Sequence, residues 1–405
     1  MYIPRTLEAA IREVSSFFPV VFVGGARQVG KTTLLKHLQS QEEAKRCYVS
    51  LDEFGPRRLA LEDPDLFFER YPPPVVVDEI QYAPALLERI KVLVDRDRQP
   101  GAFWLTGSQH FALMKGLSES LAGRVGILRL SGLAQEEEFG VPRKEVFSPK
   151  NIENWSFIKF KPLELFARIV RGTFPALAIT KNPPLEVFYS SYLQTYIERD
   201  VRAVSNISKL LEFEKFLRLC AARIGELVNY SDLARDVGIS VSTVKEWLNI
   251  LVASHQLILI PPYHRNLSKR QIKTPKLYFQ DTGLACYLAG WRSPELAFEG
   301  AMAGNLFENY VLTEILKSYW HRGREPSIYF WRTKDGLEVD FVLEEGGKIY
   351  LLEIKLTMRP GKEALRGIFA LMGRAKNVAN AAVICLVEEP LLIKKNVYAL
   401  PVGVI

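Results

Sequence analysis

One stretch decides the fold of this chain of 405 residues: Gly25-Ala26-Arg27-Gln28-Val29-Gly30-Lys31-Thr32. It reads G-x-x-x-x-G-K-T and lies between an apolar, β-branched run at 19–24 and a run with helical spacing at 33–38. The glycines let the backbone curl so that N–H groups point at phosphate oxygens, and the dipole of the following helix favours the same negative charge. The sequence therefore predicts a phosphate-binding loop between a parallel strand and a helix.

Each part of this loop has its own task toward a bound nucleotide. Lys31 reaches the outer phosphates, and the hydroxyl of Thr32 is offered to Mg²⁺. We therefore expect ATP and Mg²⁺ as ligands. The expected nucleotide-binding residues are Gly25, Ala26, Arg27, Gln28, Val29, Gly30, Lys31, Thr32 and Thr33.

An acidic motif follows the next apolar strand. The run Val75–Val77 ends in Asp78 and Glu79. A hydrophobic strand that ends in an acid, downstream of a phosphate-binding loop, predicts that Asp78 holds Mg²⁺ through water. Glu79 is then placed to polarise the attacking water as the catalytic base. The alternative is an ordinary solvated strand end.

Two further polar positions are candidates for contact with the γ-phosphate. The strand 102–105 ends in Thr106-Gly107-Ser108-Gln109, and Thr106 or Ser108 at its tip could sense the phosphate and the water. Otherwise this segment is an ordinary turn. Arg124, just before the strand 126–130, could neutralise charge on the γ-phosphate in its own subunit or, in a homo-oligomer, in a neighbour's. A surface arginine is the alternative.

Taken in order, these segments resemble a family of prokaryotic AAA-type ATPases that join a short P-loop domain to a C-terminal domain of unknown function. The resemblance rests on GARQVGKTTLL, VVVDEIQ, LTGSQ and SLAGRV, and it continues at 196–201, 278–284 and 304–308. It implies ATP binding and hydrolysis, and it gives no settled cellular role. Residues 172–175, GTFP, depart from the expected Gly-Gly-Tyr/Phe-Pro and leave that turn in doubt.

The middle of the chain, 151–290, shows a helix-turn-helix pattern. Ser231 and Ser240 are predicted helix caps, and Gly238 supplies the turn between the two helices. The runs 256–260 and 276–279 predict a hairpin, which together with the helices indicates a winged helix. This element could contact DNA or serve as a structural or protein-docking module.

Charge around the predicted wing leaves both alternatives open. Between the hairpin strands lie the basic residues Arg265, Lys269, Arg270 and Lys273. No Asp or Glu occurs from 261 to 275. Such a wing could follow phosphates. Glu246 on the outward face of the second helix works against DNA contact.

The C-terminal region, 291–405, predicts a helix at 304–320 followed by an α/β unit. Asp340, Glu353 and Lys355 have the spacing D-x(12)-E-x-K, which resembles the PD-(D/E)xK nuclease superfamily. Residues two apart on a strand share a face, so Glu353 and Lys355 point together. The resemblance implies Mg²⁺ on Asp340 and Glu353, with Glu308 as an additional acid and Lys355 acting on water. An inactive, scaffold-only domain is the alternative.

Bulk properties narrow the class of protein. The net charge is +7 and the pI is about 9.0, which permits a polyanionic partner such as DNA. The four cysteines are far apart in apolar surroundings, so we expect reduced thiols. No run approaches a membrane span and no signal peptide is visible, so we expect a cytoplasmic protein without membrane contact.

The sequence thus predicts an α/β protein of three regions. An AAA-type P-loop ATPase domain with a parallel sheet covers 1–150, a helical and winged-helix domain covers 151–290, and a restriction-endonuclease-like α/β domain covers 291–405. One functional hypothesis is an ATP-regulated DNA-processing enzyme. The other is a nucleotide-switched regulatory or protein-binding module whose nuclease-like fold is a scaffold.

Overall fold

The computed structural model describes residues 2–42, 45–107, 116–117, 119–150, 156–197, 210–264 and 274–405, with the backbone alone at 196–197. Ser108 and the basic residues of the predicted wing, at 265–273, lie outside the described residues. Within the described ranges, no helix is long and apolar enough to cross a membrane.

The N-terminal region is built on a parallel sheet of five strands in the order β2-β3-β4-β1-β5. Every residue of β1, β3 and β4 is buried, as the continuous apolar runs predict for a parallel sheet covered on both faces. The strands are β1 (Val20–Gly24), β2 (Cys47–Ser50), β3 (Val75–Asp78), β4 (Phe103–Gly107) and β5 (Val125–Arg129). The α-helices of this region are Leu7–Ser15, Lys31–Gln41, Phe54–Glu62, Pro64–Arg70, Leu86–Arg96 and Gln135–Glu138.

The middle region is helical and ends in the predicted hairpin. Strands β6 (Leu257–Ile260) and β7 (Lys276–Phe279) pair antiparallel. Its α-helices are Pro162–Arg171, Pro175–Ile179, Leu185–Tyr192, Leu210–Ala222, Tyr230–Val237, Val241–Ala253 and Thr282–Ala289.

The caps of the two short helices differ in part from the prediction. Ser240 caps its helix by accepting from the Thr243 amide at 3.1 Å, and Gly238 takes the left-handed conformation, φ 88°, that a tight turn requires. Ser231 is not the first cap. Asn229 accepts instead from the amides of Ser231 and Asp232, because it precedes the helix with an extended backbone.

The C-terminal region packs a mixed sheet against helices. The order is β12-β13-β11-β10-β9-β8, and β11 runs parallel to β10 and β13. The strands are β8 (Ser327–Arg332), β9 (Glu338–Glu345), β10 (Lys348–Ile354), β11 (Val378–Cys385), β12 (Leu391–Lys394) and β13 (Val397–Pro401). The α-helices are Pro294–Glu299, Ala303–Trp320 and Arg366–Met372.

The predicted helix at 304–320 is present as Ala303–Trp320, and most of it is buried on all sides. Every residue from Asn309 to Trp320 is buried, because the helix lies between the C-terminal sheet and the rest of the molecule. One apolar cluster joins Leu7, Leu217 and Leu306 to Ile405, so the three regions share a core. The domain boundaries at 150 and 290 therefore stay a prediction, because they divide the sequence and not this shared core.

The cysteines are free thiols, as predicted. Cys220, Cys286 and Cys385 are buried and Cys47 is half-buried. Burial raises the pKa of Cys220 and Cys286, which keeps both thiols protonated.

Candidate functional site

The glycine-rich loop joins the end of β1 to the helix Lys31–Gln41 at the carboxyl edge of the parallel sheet. Gly25 has φ 156° and Gly30 has φ 97°, conformations that suit glycine. A Cβ on Gly25 would lie 2.1 Å from the Leu130 carbonyl oxygen, so the close approach of the two segments requires glycine there. The Lys31 ammonium donates to the carbonyls of Gly25 at 3.1 Å and Ala26 at 2.8 Å.

The carboxylate of Asp78, at the end of β3, accepts hydrogen bonds from hydroxyl groups on three neighbouring elements. Thr32 Oγ1 lies 2.9 Å and 3.0 Å from its two carboxylate oxygens. Tyr48 donates at 2.9 Å and Thr106 at 2.5 Å. Burial, together with the Asp78 charge, raises the pKa of Tyr48, which therefore stays a protonated donor.

These donors fit Mg²⁺. The carboxylate of Asp78 and the hydroxyl of Thr32 are hard oxygen ligands that already meet at one point. Glu79 follows in the left-handed conformation, φ 59°, and its amide donates to Thr106 Oγ1 at 3.0 Å. Thr106 therefore bridges the two acids, while the Glu79 carboxylate accepts from Gln81.

Arg124 lies at the other edge of the sheet from the phosphate-binding loop. Its carbonyl accepts from the Val20 amide at 3.1 Å, whereas the loop begins after Gly24 at the carboxyl end of the same strand. Five residues of strand separate the two positions, roughly 16 Å at the usual rise per residue. Of the alternatives that the sequence left open, this position favours action on a neighbouring subunit or a surface arginine over action in its own subunit. The Arg124 side chain pairs with Asp95 at 2.6 Å.

Arg5 contacts this site although it belongs to no sequence motif. Its buried guanidinium donates to the carbonyl of Val29 in the loop at 2.9 Å and to that of Ser131 at 2.7 Å. The Glu137 carboxylate holds it at 3.0 Å. Arg5 therefore braces the outside of the loop from the N-terminal segment. A lone arginine before a helix carries no sequence signal for this role.

A second polar pocket, of about 550 Å³, lies where β9 and β10 meet the hairpin of the middle region. Both regions contribute to its walls. It is lined by Gly225, Glu226, Leu227, Lys276, Glu308, Arg332, Glu338, Asp340, Glu353 and Lys355.

Asp340, Glu353 and Lys355 come together in this pocket. Lys355 Nζ lies 2.7 Å from Glu353 Oε1 and 3.6 Å from Asp340 Oδ2, so the side chains of Glu353 and Lys355 lie on the same face, as their spacing on the strand indicated. Asp340 Oδ2 also accepts from the Ile354 amide at 2.7 Å. Burial, and then the charge of Asp340, raises the pKa of Glu353 to about 8.

Glu308 lines the same pocket but has other partners. Tyr278 donates to it at 2.5 Å, and the Lys276 ammonium lies 3.3 Å away. Burial, and then the Asp340 charge, raises the pKa of Glu308 to about 7. Among the described residues, no group of three or more His, Cys, Asp or Glu side chains is arranged to hold a metal ion. The predicted trio of Glu308, Asp340 and Glu353 is therefore not arranged as a metal site in this structure. Its members pair with Lys276 and Lys355 instead.

One buried carboxylate oxygen of this pocket has no hydrogen-bond partner. In the described part of the chain, Glu353 Oε2 is buried without a hydrogen-bond partner, while Oε1 is taken by Lys355. Carboxylate oxygens are the ligands that Mg²⁺ and Mn²⁺ prefer. Asp340 and Glu353 can thus present free lone pairs to such an ion.

Three segments of the chain each match a known protein family. Residues 18–139 match a family described as AAA domain. Residues 163–295 match a domain of unknown function, DUF8612, and residues 303–405 match another, DUF4143. Along the chain, the match to the AAA domain thus precedes the match to DUF4143.

Two whole proteins of similar sequence are described as uncharacterized. Proteins of Mycobacterium bovis and Mycobacterium tuberculosis are each 29% identical over 357 residues, which cover 88% of this chain and 74% of theirs. Among solved structures, a Walker-type ATPase of Pyrococcus abyssi is similar at TM-score 0.44 and 15% identity, covering 70% of this chain and 94% of that one. The RuvB Holliday junction branch migration motor of Thermotoga maritima has TM-score 0.30 and 20% identity, covering 63% and 86%.

Proposed function

We propose that this chain is a Mg²⁺-dependent ATP-hydrolysing protein that couples its nucleotide state to the binding or processing of DNA. One observation carries the coupling. Strand β7 begins at Lys276 in the C-terminal pocket, and the residue after its end, Gln280, contacts the ATPase sheet. At about 3.3 Å per residue, the four steps between these residues span roughly 13 Å.

At the nucleotide end, the loop amides and Lys31 bind the phosphates. Thr32 and Asp78 would hold Mg²⁺, which supplies charge neutralisation between the outer phosphates. Glu79 orients water and takes its proton, and Thr106 fixes the backbone of this acid. Because Tyr48 and Thr106 donate to Asp78, that carboxylate is held in one orientation.

At the pocket, Asp340 and Glu353 would hold the divalent ion that resemblance to PD-(D/E)xK nucleases implies. When bound, such an ion polarises a phosphodiester. Lys355 lies 2.7 Å from Glu353 and is partly exposed, so it can hold a water or a phosphate oxygen at the pocket mouth. The helices 230–237 and 241–253 with the β6–β7 hairpin would form the winged helix that presents DNA.

Coupling between the two ends would use the contact of Gln280 with β5. Arg129 donates to Gln280 at 2.8 Å, and Arg129 is in register with Gly24, the residue before the loop. Gln280 also donates to Ser131 at 3.1 Å. A movement of the loop on nucleotide binding therefore has a short route of polar contacts to β7.

The test is ATP turnover with and without DNA, followed on the same samples by a gel for cut product. We expect DNA to change the turnover rate, and Mg²⁺ or Mn²⁺ to support cleavage that Asp340→Asn and Lys355→Ala abolish. Lys348→Ala, a change at an exposed position on β10, is the matched control and should cut like the parent chain. This function would be contradicted if the rate of ATP turnover were the same with and without DNA and no DNA were cut under any metal or nucleotide condition.

A second function has its own support. In the described structure the acids of the pocket are already partly neutralised by Lys276 and Lys355, as a metal-free scaffold requires. The protein would then be a nucleotide-switched regulatory or protein-binding module. Tight, salt-sensitive DNA binding favours the first function, whereas a protein that co-purifies with a chain lacking DNA affinity favours the second.

A further inference from the structure

A buried histidine of the middle region lies beside the phosphate-binding loop. His255 is in the turn between the helix Val241–Ala253 and strand β6, and it is 5% exposed. Together with Ala26 and Val29 of the loop, it lines a small cavity of about 10 Å³, the room of about one water molecule. His255 therefore brings the turn between helix and hairpin against the nucleotide site.

Two features of His255 are unfavourable for the fold by themselves. Both ring nitrogens are buried, and among the residues that the structure describes neither has a hydrogen-bond partner. The backbone takes the left-handed conformation, φ 56°, which is uncommon for a residue other than glycine. Burial, and then the charges of Arg129 and Lys31, lower the pKa of His255 well below its ordinary value, so the ring is neutral and carries one N–H. A buried donor without a partner and a strained backbone together indicate a functional position.

The loop contains an acceptor that changes its partner when nucleotide binds. In the structure, the Lys31 ammonium donates to the Ala26 carbonyl at 2.8 Å. When Lys31 turns to the outer phosphates, the buried carbonyl of Ala26 loses this donor. A buried carbonyl needs a hydrogen bond as much as a buried N–H does. Nucleotide binding thus leaves an acceptor without its donor on the wall of the cavity that His255 also lines.

We propose that His255 is a positioning residue that senses the nucleotide: its ring N–H pairs with the Ala26 carbonyl, directly or through one water, once Lys31 has moved to the phosphates. The inference rests on the proposed function, because it presupposes that the loop binds ATP. The hydrogen bond exists in the nucleotide-bound state alone, so it stabilises that state. Since His255 lies between the helix Val241–Ala253 and β6, the same bond joins the predicted winged helix to the loop.

Nuclear magnetic resonance of the full parent chain, labelled with ¹⁵N in histidine, tests the exchange of partners. The signals of His255 are identified by their loss in His255→Asn. A non-hydrolysable ATP analogue should shift the ring N–H signal of His255 and slow the exchange of this proton with water, because the proton gains an acceptor. Lys31→Met should cause the same change without nucleotide, because it removes the donor that holds the Ala26 carbonyl.

Affinity for the same analogue gives a second measurement. His255→Phe keeps a ring but has no N–H, so it should bind the analogue about tenfold more weakly, which is about 1.4 kcal/mol. His255→Asn keeps a donor and tolerates the left-handed conformation, so it should stay within about threefold of the parent affinity. His37→Phe, at a half-buried histidine on the helix that follows the loop, is the matched control and should bind like the parent chain.

The outcomes separate this inference from the function beneath it. If the analogue binds the parent chain and the ring N–H signal of His255 stays the same, the sensing role is overturned and the ATP site stands. A change with the analogue that Lys31→Met does not reproduce also overturns the inference, since the acceptor is then not the carbonyl that Lys31 releases. If the analogue does not bind the parent chain, ATP binding itself fails, and Lys31→Met without nucleotide still decides whether His255 takes the Ala26 carbonyl.

Discussion

Arg129 donates a hydrogen bond to Gln280 at 2.8 Å, and this contact joins the N-terminal parallel sheet to the strand that enters the C-terminal pocket. The guanidinium of Arg129 also stacks 3.5 Å from the ring centroid of Trp320, on the central C-terminal helix. Burial lowers the pKa of Arg129 to about 10, which still leaves it charged at neutral pH. One cation beside the nucleotide loop thus contacts both other regions of the chain.

The first prediction concerns the loop lysine. Lys31→Ala should abolish ATP binding or hydrolysis, because the outer phosphates lose their cation. Lys91→Ala removes an exposed lysine from the helix Leu86–Arg96 and should leave both unchanged. Nucleotide binding by fluorescence titration and phosphate release together measure the effect. Parent-level turnover in Lys31→Ala would remove the loop from the mechanism.

The second prediction separates binding from chemistry. Glu79→Gln should bind ATP normally but hydrolyse it about 10²- to 10⁴-fold more slowly, because an amide is a poor base. Exposed Glu88→Gln is the matched change of charge nearby. Single-turnover hydrolysis with ATP bound in advance measures the chemical step. An unchanged rate would show that another group activates the water.

The third prediction follows from the position of Arg124 at the amino edge of the sheet. If Arg124 acts at all, it acts on a neighbouring subunit, so Arg124→Ala should lower turnover more than ATP affinity. Mixing Arg124→Ala with Lys31→Ala should then restore part of the activity, since each chain supplies what the other lacks. Arg96→Ala, at an exposed arginine of a nearby helix, is the control. If Arg124→Ala alone kept full activity, Arg124 would be a surface arginine without a role in hydrolysis.

The fourth prediction tests the shared core. Glu314 is fully buried and accepts from Arg168 and Lys317, each at 2.9 Å. Glu314→Gln should lower the free energy of unfolding by about 3–5 kcal/mol, because Lys317 and Arg168 lose the buried carboxylate that they share. Glu363→Gln, at an exposed ion pair, should change stability little. Chemical denaturation measures both variants, and equal losses would contradict the account.

The ion pairs of Glu314 also predict how the stability of the fold changes at low pH. Burial opposes the charge of Glu314, but Arg168 and Lys317 outweigh it and lower its pKa from 4.5 to about 2. A lowered pKa stabilises the fold above the unfolded value, so this contribution is lost as the pH falls from about 4.5 toward 2. The parent chain should show that loss, and Glu314→Gln should show less of it.

Local patterns made the nucleotide site predictable from sequence. The phosphate-binding loop with Lys31 and the strand that ends in Asp78 are each recognised from a few consecutive residues. Helix ends with a cap such as Ser240 were equally accessible. The strands β12 and β13 were missed because they are short and β12 is exposed, without alternation to mark it.

Contacts between distant segments could not be predicted in this way. Lys276 joins Glu308 and Glu338 across 32 and 62 residues of sequence, and a lysine at the start of an apolar strand gives no sign of its partners. Arg5 and Arg129 are likewise single cations without a motif. The position of Arg124 required strand register, which a sequence of β-branched runs does not specify.

The coupling of nucleotide state to DNA is the central claim, and DNA affinity with and without a non-hydrolysable ATP analogue tests it most directly. The analogue should change the DNA dissociation constant at least fivefold in the parent chain, about 1 kcal/mol of coupling. The change should vanish in Lys31→Ala and shrink in Gln280→Ala, which cuts the contact with Arg129. A DNA dissociation constant that is the same with and without the analogue, or no DNA binding at all, would contradict the account.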